Sequence, residues 1–208
     1  MKRVARAAFL AVLLATRVAS ADDDARLREL ERRFDEGEAA ARLYWAGWST
    51  AFAVASSAQL SFAIDTDDTR LRTAAFVGAT TAAIGLVTTL PLPPRAMIAA
   101  PHLRAMPEAT EDDRRRKLAY AEAELSRARD EEALATSLVA HVGGVVVNGV
   151  AGALLWVKWG ERLEGAATFL VGTAVSEAKI ATTPRLGRDA PRVSLSIAPG
   201  GLGIAGVF

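Results

Sequence analysis

The stretch that decides the fold is residues 111–156, which read EDDRRRKLAYAEAELSRARDEEALATSLVAHVGGVVVNGVAGALLW. Its first part, up to Ala133, is rich in charged residues that favour a helix. Its second part is made of small and apolar residues, with His141 as the one ionisable side chain. Because no proline separates the two parts, the stretch predicts a single long helix. The first half of that helix would face water, and the second half would be buried in lipid or in protein.

The same order occurs earlier in the chain, where a charged run and then a small-residue apolar run fill residues 22–64. Each copy continues with a short charged turn, a second apolar run and a proline. Arg70 and Arg162 lie 92 positions apart, and Pro91 and Pro184 lie 93 apart. A fixed offset is typical of an internal repeat, so the sequence predicts a tandem duplication of a helix pair. The alternative is that an alanine-rich helical chain aligns with itself by composition alone.

Composition excludes several kinds of chemistry. The 208 residues include no cysteine, which excludes disulfides, thiolate metal sites and thiol catalysis, and only two histidines, which argues against a histidine metal site. Without the four basic residues of positions 1–21, the net charge of +1 becomes −3, and such a balance argues against nucleic acid as a partner. No catalytic Ser-His-Asp order, phosphate loop or dinucleotide motif occurs. We therefore expect a protein that is not an enzyme and has no cofactor.

The N-terminal residues 1–21 have the pattern of a secretory signal peptide. A basic start precedes the apolar run AAFLAVLLA, and Ala19-Ser20-Ala21 forms an Ala-x-Ala cleavage site. The alternative is an uncleaved anchor, although Arg17 leaves its apolar core short. Cleavage before Asp22 would place the mature protein in a bacterial cell envelope.

Two apolar segments of the first half are long enough to cross a bilayer. Residues 43–64 would span about 33 Å as a helix, and residues 73–90 carry no charge. Tyr44, Trp45 and Trp48 stand where polarity falls, which suits a membrane interface. The alternative for these aromatic residues is packing in a water-soluble core.

The second half of the chain is less regular. Residues 95–110 contain Pro101 and Pro107 and predict an irregular connector. Thr110 is placed to cap the following helix through the amide of Asp113. Three i,i+4 ion pairs are expected in that helix: Glu111–Arg115, Asp112–Arg116 and Asp113–Lys117.

The last apolar run, residues 165–176, is short for a membrane span. It would span only if Glu177 and Lys179 lie near the surface or pair with each other. Small residues at spacing four favour close helix packing in both halves. They form the ridges Ala74, Gly78 and Ala82, and Ala140, Gly144, Asn148 and Gly152.

Four polar residues in the apolar segments are the candidate site. His141 and Asn148 are seven positions apart and share a helix face, and Ser49 and Ser56 occupy the equivalent places 92 positions earlier. Polar groups inside a membrane bundle are candidates for guiding protons or ions. The alternative is that they form interhelical hydrogen bonds that fix helix register.

Residues 65–69, Asp-Thr-Asp-Asp-Thr, resemble the nucleophile motif of haloacid-dehalogenase-like phosphatases, which is a paired-carboxylate magnesium site after a strand. The resemblance covers five residues, and no alternation of strands and helices surrounds them. We therefore interpret them as a solvated acidic turn between two helices.

The C-terminal residues 192–208 have an alternating pattern of apolar and small or polar residues in place of a helical pattern. Val193, Leu195 and Ile197 alternate with serines before the turn residues 199–201, which predicts a short hairpin or an extended tail. The rest of the chain lacks the repeated alternating segments of an outer-membrane barrel.

The predicted fold is mainly α, a four-helix membrane bundle of two tandem helix pairs with a C-terminal β-hairpin or extended tail. Its divisions are a signal peptide (1–21), a first helical pair (22–94), a connector (95–110), a second pair (111–184) and a tail (185–208). We expect an envelope protein that acts by structure or interaction, binding a protein partner or itself through the charged helices. The alternative is a small transport or channel component.

The inner membrane is the expected location, with the periplasm or the outer membrane as alternatives. Signal cleavage would leave residues 95–133 outside the cytoplasm, whereas their eight Lys and Arg residues favour the cytoplasmic side under the positive-inside rule.

Overall fold

The fold is mainly helical, as the sequence predicts. The computed structural model describes the backbone of residues 2–186, 192–198 and 201–207, and the side chains of residues 22–186. Its helices are α1 (Lys2–Asp65), α2 (Thr69–Thr89), α3 (Arg95–Ala105), α4 (Glu111–Ala135), α5 (Leu138–Trp159) and α6 (Arg162–Ala181). The predicted signal peptide corresponds to the first residues of α1. The side chains of residues 1–21 lie outside the described part of the chain.

Two strands follow the helices, β1 (Arg192–Ala198) and β2 (Gly201–Val207). They pair antiparallel, with Arg192 opposite Val207 and Ala198 opposite Gly201. Both strands lie within the alternating tail, while the turn residues 199–200 and the final Phe208 lie outside the described residues.

The charged segments of the chain fold together into a compact unit that we call the head, residues 22–42 and 95–135. Its core lies where α1, α3 and α4 meet, and it is built from Leu27, Leu30, Phe34, Ala99, Leu103, Ala121 and Leu125. Ion pairs surround this core and join the helices, such as Arg104 with Asp35 and Glu38 at 2.6 and 2.8 Å. The head therefore has the apolar interior and charged exterior of a water-soluble bundle.

The apolar segments form a second unit that we call the foot, residues 43–92 and 138–181. Here α1 packs against α2, and α5 packs against α6. The α5–α6 contact is so close that a Cβ atom on Gly152 would lie 2.5 Å from the backbone oxygen of Gly165. The large apolar side chains point outward instead, including Val54, Phe76, Val87, Val146, Val150 and Leu170.

The predicted single helix over residues 111–156 is wrong, because the chain breaks between α4 and α5. The Thr136 hydroxyl donates to the backbone oxygen of Glu132 at 2.8 Å, and the Ser137 hydroxyl donates to that of Leu134 at 2.7 Å. Ser137 also accepts from the amide of Ala140 as the N-cap of α5. Adjacent hydroxyl side chains thus satisfy backbone groups at the break, which makes ending one helix and starting another favourable.

The predicted irregular connector is also wrong for residues 95–105, which form α3. Pro94 precedes the first helical residue, where its fixed φ favours helix entry, and Pro101 lies inside the helix. Ala96, Ala100 and Leu103 are buried in the head. This tertiary packing outweighs the hydrogen bond that Pro101 cannot donate.

The start of α4 agrees with the sequence only in part. The Thr110 hydroxyl accepts from the Asp113 amide at 3.1 Å, and Arg115 pairs with Glu111 at 2.5 Å, so both predictions are confirmed. The predicted Asp112–Arg116 side-chain pair is replaced by a 3.2 Å pair of Arg116 with Asp113.

The predicted Asp113–Lys117 pair is wrong as well. The Asp113 carboxylate binds the Thr110 hydroxyl and amide in a capping box. Lys117 is 2% exposed and pairs with Glu31 on α1 and with Glu108. These contacts raise the pKa of Lys117 although burial alone lowers it. Because Glu31 lies 86 positions away in the sequence, local spacing gives no signal for this pair.

Candidate functional site: the cavity between the two helix pairs

A large cavity separates the α1–α2 pair from the α5–α6 pair; we call it the interpair cavity. Its volume is about 2630 Å³, and it extends from the foot to the underside of the head. The two exposed large hydrophobic residues of the head, Ile98 and Leu134, both line it. The foot wall is mostly apolar and carries several glycines, including Gly78, Gly85 and Gly172.

Where head and foot meet, aromatic side chains of α1 contact the C-terminal ends of α2 and α6. The Trp48 indole donates to the Thr182 hydroxyl at 3.0 Å, and the Trp45 indole donates to the Leu90 backbone oxygen at 3.2 Å. The Tyr44 hydroxyl lies 3.5 Å from that of Thr183. The sequence places these aromatic residues at the polarity boundary. In the structure they form contacts at the junction of head and foot, where Tyr44, Thr182 and Thr183 also line the cavity.

Lys179 of α6 lies close to this boundary and lines the cavity. Its ammonium group donates to the Thr89 hydroxyl at 2.6 Å and lies 5.4 Å from the centre of the Phe52 ring. Among the residues with described side chains it has no carboxylate partner. The alternative that the sequence left open, a Glu177–Lys179 pair, does not form.

Glu177 instead contacts His141 across the α5–α6 pair, with 2.7 Å between the His141 Nδ1 and a carboxylate oxygen. Asn148 belongs to the same helix pair, where its amide donates to the Gly144 backbone oxygen at 2.8 Å and to the Ser176 hydroxyl at 3.1 Å. Asn148 and Ser176 line the cavity. Two of the four candidate residues therefore lie on one helix pair, and each is bound to α6.

The other two candidates lie on the α1–α2 pair. The Ser56 hydroxyl donates to the backbone oxygen of Ala79 at 3.0 Å. The Ser49 hydroxyl is buried and has no hydrogen-bond partner within the described part of the chain. The structure thus places Ser49 and Ser56 in one helix pair and His141 and Asn148 in the other, without contacts that join all four.

At the far end of the foot, the two turns of the chain meet. Arg70, in the first turn of α2, donates to the Glu161 carboxylate at 2.6 Å and lies 3.6 Å from Glu164. One oxygen of Glu164 is buried without a partner among the described residues. This ion pair ties the first helix pair to the second at the end opposite the head.

The acidic residues 65–69 form the turn between α1 and α2, as the sequence predicts. The Asp68 carboxylate caps α2 by accepting from the amides of Arg70 and Leu71 at 2.8 and 3.3 Å. Within the described residues, no group of three or more acidic or histidine side chains is arranged to hold a metal ion. The motif therefore acts as a helix cap here.

Comparison of the chain with protein-family models, curated proteins and solved structures gives no match. The site must therefore be interpreted from its own geometry. Sequence reasoning missed the cavity and the role of Lys179. Lys179 follows the apolar run 165–176 together with Glu177, and their spacing does not indicate that the lysine lies against Thr89 without a carboxylate partner among the described residues.

Proposed function

We propose that this protein is a membrane-embedded, non-enzymatic component of a bacterial cell envelope. The foot lies in the bilayer, and the head projects from it as the surface that binds a partner or a second copy. The observation that carries the proposal is the reversal of burial between the two units. Large apolar side chains are inside the head and outside the foot. Such an exterior is stable against lipid and unfavourable in water.

Two further features support a membrane location. By length and composition, α2 and α5 could each cross a membrane, and few of their residues are buried within the protein. The aromatic residues of α1 lie at the junction of head and foot, where a membrane interface would be. The signal peptide, the envelope location and the duplication belong to this proposal as expectations.

The absence of cysteine permits a direct test by single-cysteine labelling. Arg28→Cys in the head and Val146→Cys in the foot replace residues that are both exposed. In intact membranes, a membrane-impermeant maleimide should label the first only, and both should react after the protein is denatured. Carbonate washing should leave the protein in the membrane fraction. Equal labelling of both cysteines together with release by carbonate would contradict the proposal.

The interaction role is tested separately through the head. A cysteine in place of the exposed Arg129 should form a cross-linked adduct of defined mass in intact cells, whereas the Val146→Cys variant should not. The doubled mass of the chain would identify a second copy as the partner. If neither cysteine gives an adduct, the head is not an interaction surface.

A transport or channel function is the second candidate, and the polar groups Asn148, Ser176 and Lys179 in the cavity favour it. Purified protein in liposomes would then conduct ions, and His141→Ala or Asn148→Ala would abolish the flux. The exposed Val146→Ala variant is the matched control. An absence of flux from the wild-type protein would exclude this candidate.

A further inference from the structure

Two of the basic residues that line the interpair cavity, the half-buried Lys179 and the exposed Arg185, have no carboxylate partner among the residues with described side chains. Three other basic residues that line the cavity are paired, because Arg32 and Arg33 bind Glu29 and Arg95 binds Glu131. Lys179 has only a hydroxyl and an aromatic ring as neighbours in the described structure. A charged group in apolar surroundings is costly unless an opposite charge accompanies it. The cavity is therefore complementary to an anion at the level of Lys179.

The shape of the cavity indicates a long apolar body attached to that anion. The cavity wall on α2 extends from Leu71 to Thr89, which corresponds to about 27 Å of helix. This length is close to the thickness of the hydrocarbon core of a bilayer, roughly 30 Å. The volume of about 2630 Å³ exceeds the roughly 300–1,000 Å³ of pockets for small polar or drug-sized ligands. The wall below Lys179 includes Phe52, Ile84 and Val171.

From these two features we infer that the interpair cavity binds an acyl-chain ligand that carries an anionic group, either a fatty acid or an anionic phospholipid. The carboxylate or phosphate pairs with the Lys179 ammonium group near the head, and the acyl chains extend along the foot toward Leu71. This inference rests on the proposed membrane location of the foot, since the bilayer supplies the ligand.

The position of Lys179 agrees with that orientation. It lies three residues before Thr182, whose hydroxyl binds Trp48 at the junction of head and foot. A lipid headgroup in the outer part of a bilayer lies at the same level as such aromatic residues. The anionic group therefore stays near the polar boundary while the chains remain in hydrocarbon. An apolar helix from a second copy would instead fill the space and leave Lys179 without a counter-charge.

The test is native mass spectrometry of the full chain, purified from membranes in a mild detergent. Palmitate and phosphatidylglycerol are added separately as probes, so that the two arms distinguish a fatty acid from a phospholipid. At least one probe should add its mass to the wild-type protein. Lys179→Gln should weaken that binding about tenfold or more, because it removes the positive charge that the anionic group pairs with. Lys179→Arg should retain most of it.

Two control variants distinguish the effect of the Lys179 charge from the effect of the space inside the cavity. Lys158→Gln removes an exposed lysine that does not line the cavity and should leave binding unchanged. Val171→Trp fills the cavity while keeping Lys179, and it should also reduce binding. Circular dichroism on each variant identifies any loss of helix.

Three results would overturn the inference: no adduct with either probe, equal binding by Lys179→Gln and wild type, or a lipid-free dimer whose subunits separate when Val171→Trp is introduced. Carbonate extraction of the same preparation distinguishes the two proposals. Resistance to carbonate without lipid binding would refute only the lipid site, whereas release as a soluble protein would refute the membrane location as well.

Discussion

The head and the foot are built from the same helices but bury opposite kinds of surface. In the head, α1 contributes Leu27, Leu30 and Phe34 to a closed apolar core. In the foot, the same helix points Val54 and Leu60 outward. The head helices are joined by many ion pairs, whereas the foot pairs approach mainly through glycines and single hydroxyl or amide contacts, with the His141–Glu177 contact added in the α5–α6 pair. One helix thus buries large apolar side chains in the head and exposes them in the foot.

This difference means that hydrophobicity alone does not say where a residue will be buried. In water, the large apolar side chains are driven inward, and the energy of the core depends on their area. In lipid that driving force is absent between helices, so small residues pack inside and large ones face the hydrocarbon. Equivalent substitutions in the two units should therefore have unequal effects, and the following predictions test that expectation.

The largest difference is expected for a phenylalanine in each unit. Phe34 in the head is 0% exposed, and Phe76 in the foot is 44% exposed. Phe34→Ala should lower the free energy of unfolding by about 3–5 kcal/mol, because it leaves a cavity in the core. Phe76→Ala should change it by less than about 1 kcal/mol. Urea unfolding of both variants in detergent measures the difference, and equal losses would show that the two units do not differ in this way.

A smaller loss is expected when the buried charge of the head is removed. Lys117→Met deprives Glu31 and Glu108 of their shared cation and should cost about 2–3 kcal/mol at neutral pH. The neighbouring Arg116→Met variant removes a side chain that is 73% exposed, and its unfolding should match that of the wild type. A loss of similar size in both variants would indicate an effect of helix composition rather than of the buried pair.

The same variant has a defined pH dependence. Lys117 holds the pKa of Glu108 below its ordinary value of 4.5, so the stabilisation by Glu108 is present above that pH and is lost as the pH falls through the lowered pKa. The raised pKa of Lys117 has the opposite sign, and its contribution is lost only as the pH rises through that pKa. The difference between Lys117→Met and wild type should therefore shrink between pH 7 and pH 3. A constant difference over this range would contradict the assignment.

Two glycines of α5 provide the corresponding test in the foot. A Cβ atom on Gly152 would meet the backbone of α6, whereas one on Gly143 would meet nothing within 4 Å. Gly152→Ala should destabilise the α5–α6 pair by about 1–2 kcal/mol, since backbone atoms must move apart. Gly143→Ala should be neutral or stabilising by up to about 1 kcal/mol through helix propensity. Thermal unfolding in detergent checks both, and tolerance of Gly152→Ala would exclude the close approach.

The smallest effect is expected at the start of α4. Thr110→Ala removes the hydroxyl that accepts from Asp113 and should cost about 1 kcal/mol in the head. Thr110→Ser keeps the cap and serves as the control. Urea unfolding followed by far-ultraviolet circular dichroism should separate these variants, and identical midpoints would show that the cap contributes nothing.

Local features of the molecule could be predicted from the sequence because they depend on neighbours in the chain. The Thr110 cap, the Glu111–Arg115 pair and the acidic turn after α1 all form within a few residues. The small-residue ridge of Gly144, Asn148 and Gly152 also faces α6, since helical periodicity places these residues on one side.

Features that depend on distant contacts could not be predicted in this way. Helix α3 forms because its alanines are buried between α1 and α4, which outweighs the proline signal. Lys117 is paired across the head with Glu31, and Lys179 is placed against Thr89, 90 positions away. The cavity itself is a gap between two helix pairs, so it has no sequence pattern of its own.

The chain passes between head and foot three times, once as the continuous helix α1 and twice through a helix break, between α2 and α3 and between α4 and α5. On one side α1 passes from head to foot as one continuous rod, so a tilt of the head turns that rod as a lever. At the α4–α5 break no continuous helix joins head and foot, so helical hydrogen bonds do not carry the same tilt directly into α5. The Arg70–Glu161 ion pair acts as a pivot at the opposite end. A tilt of the head would therefore move the two helix pairs relative to each other and change the width of the gap between them.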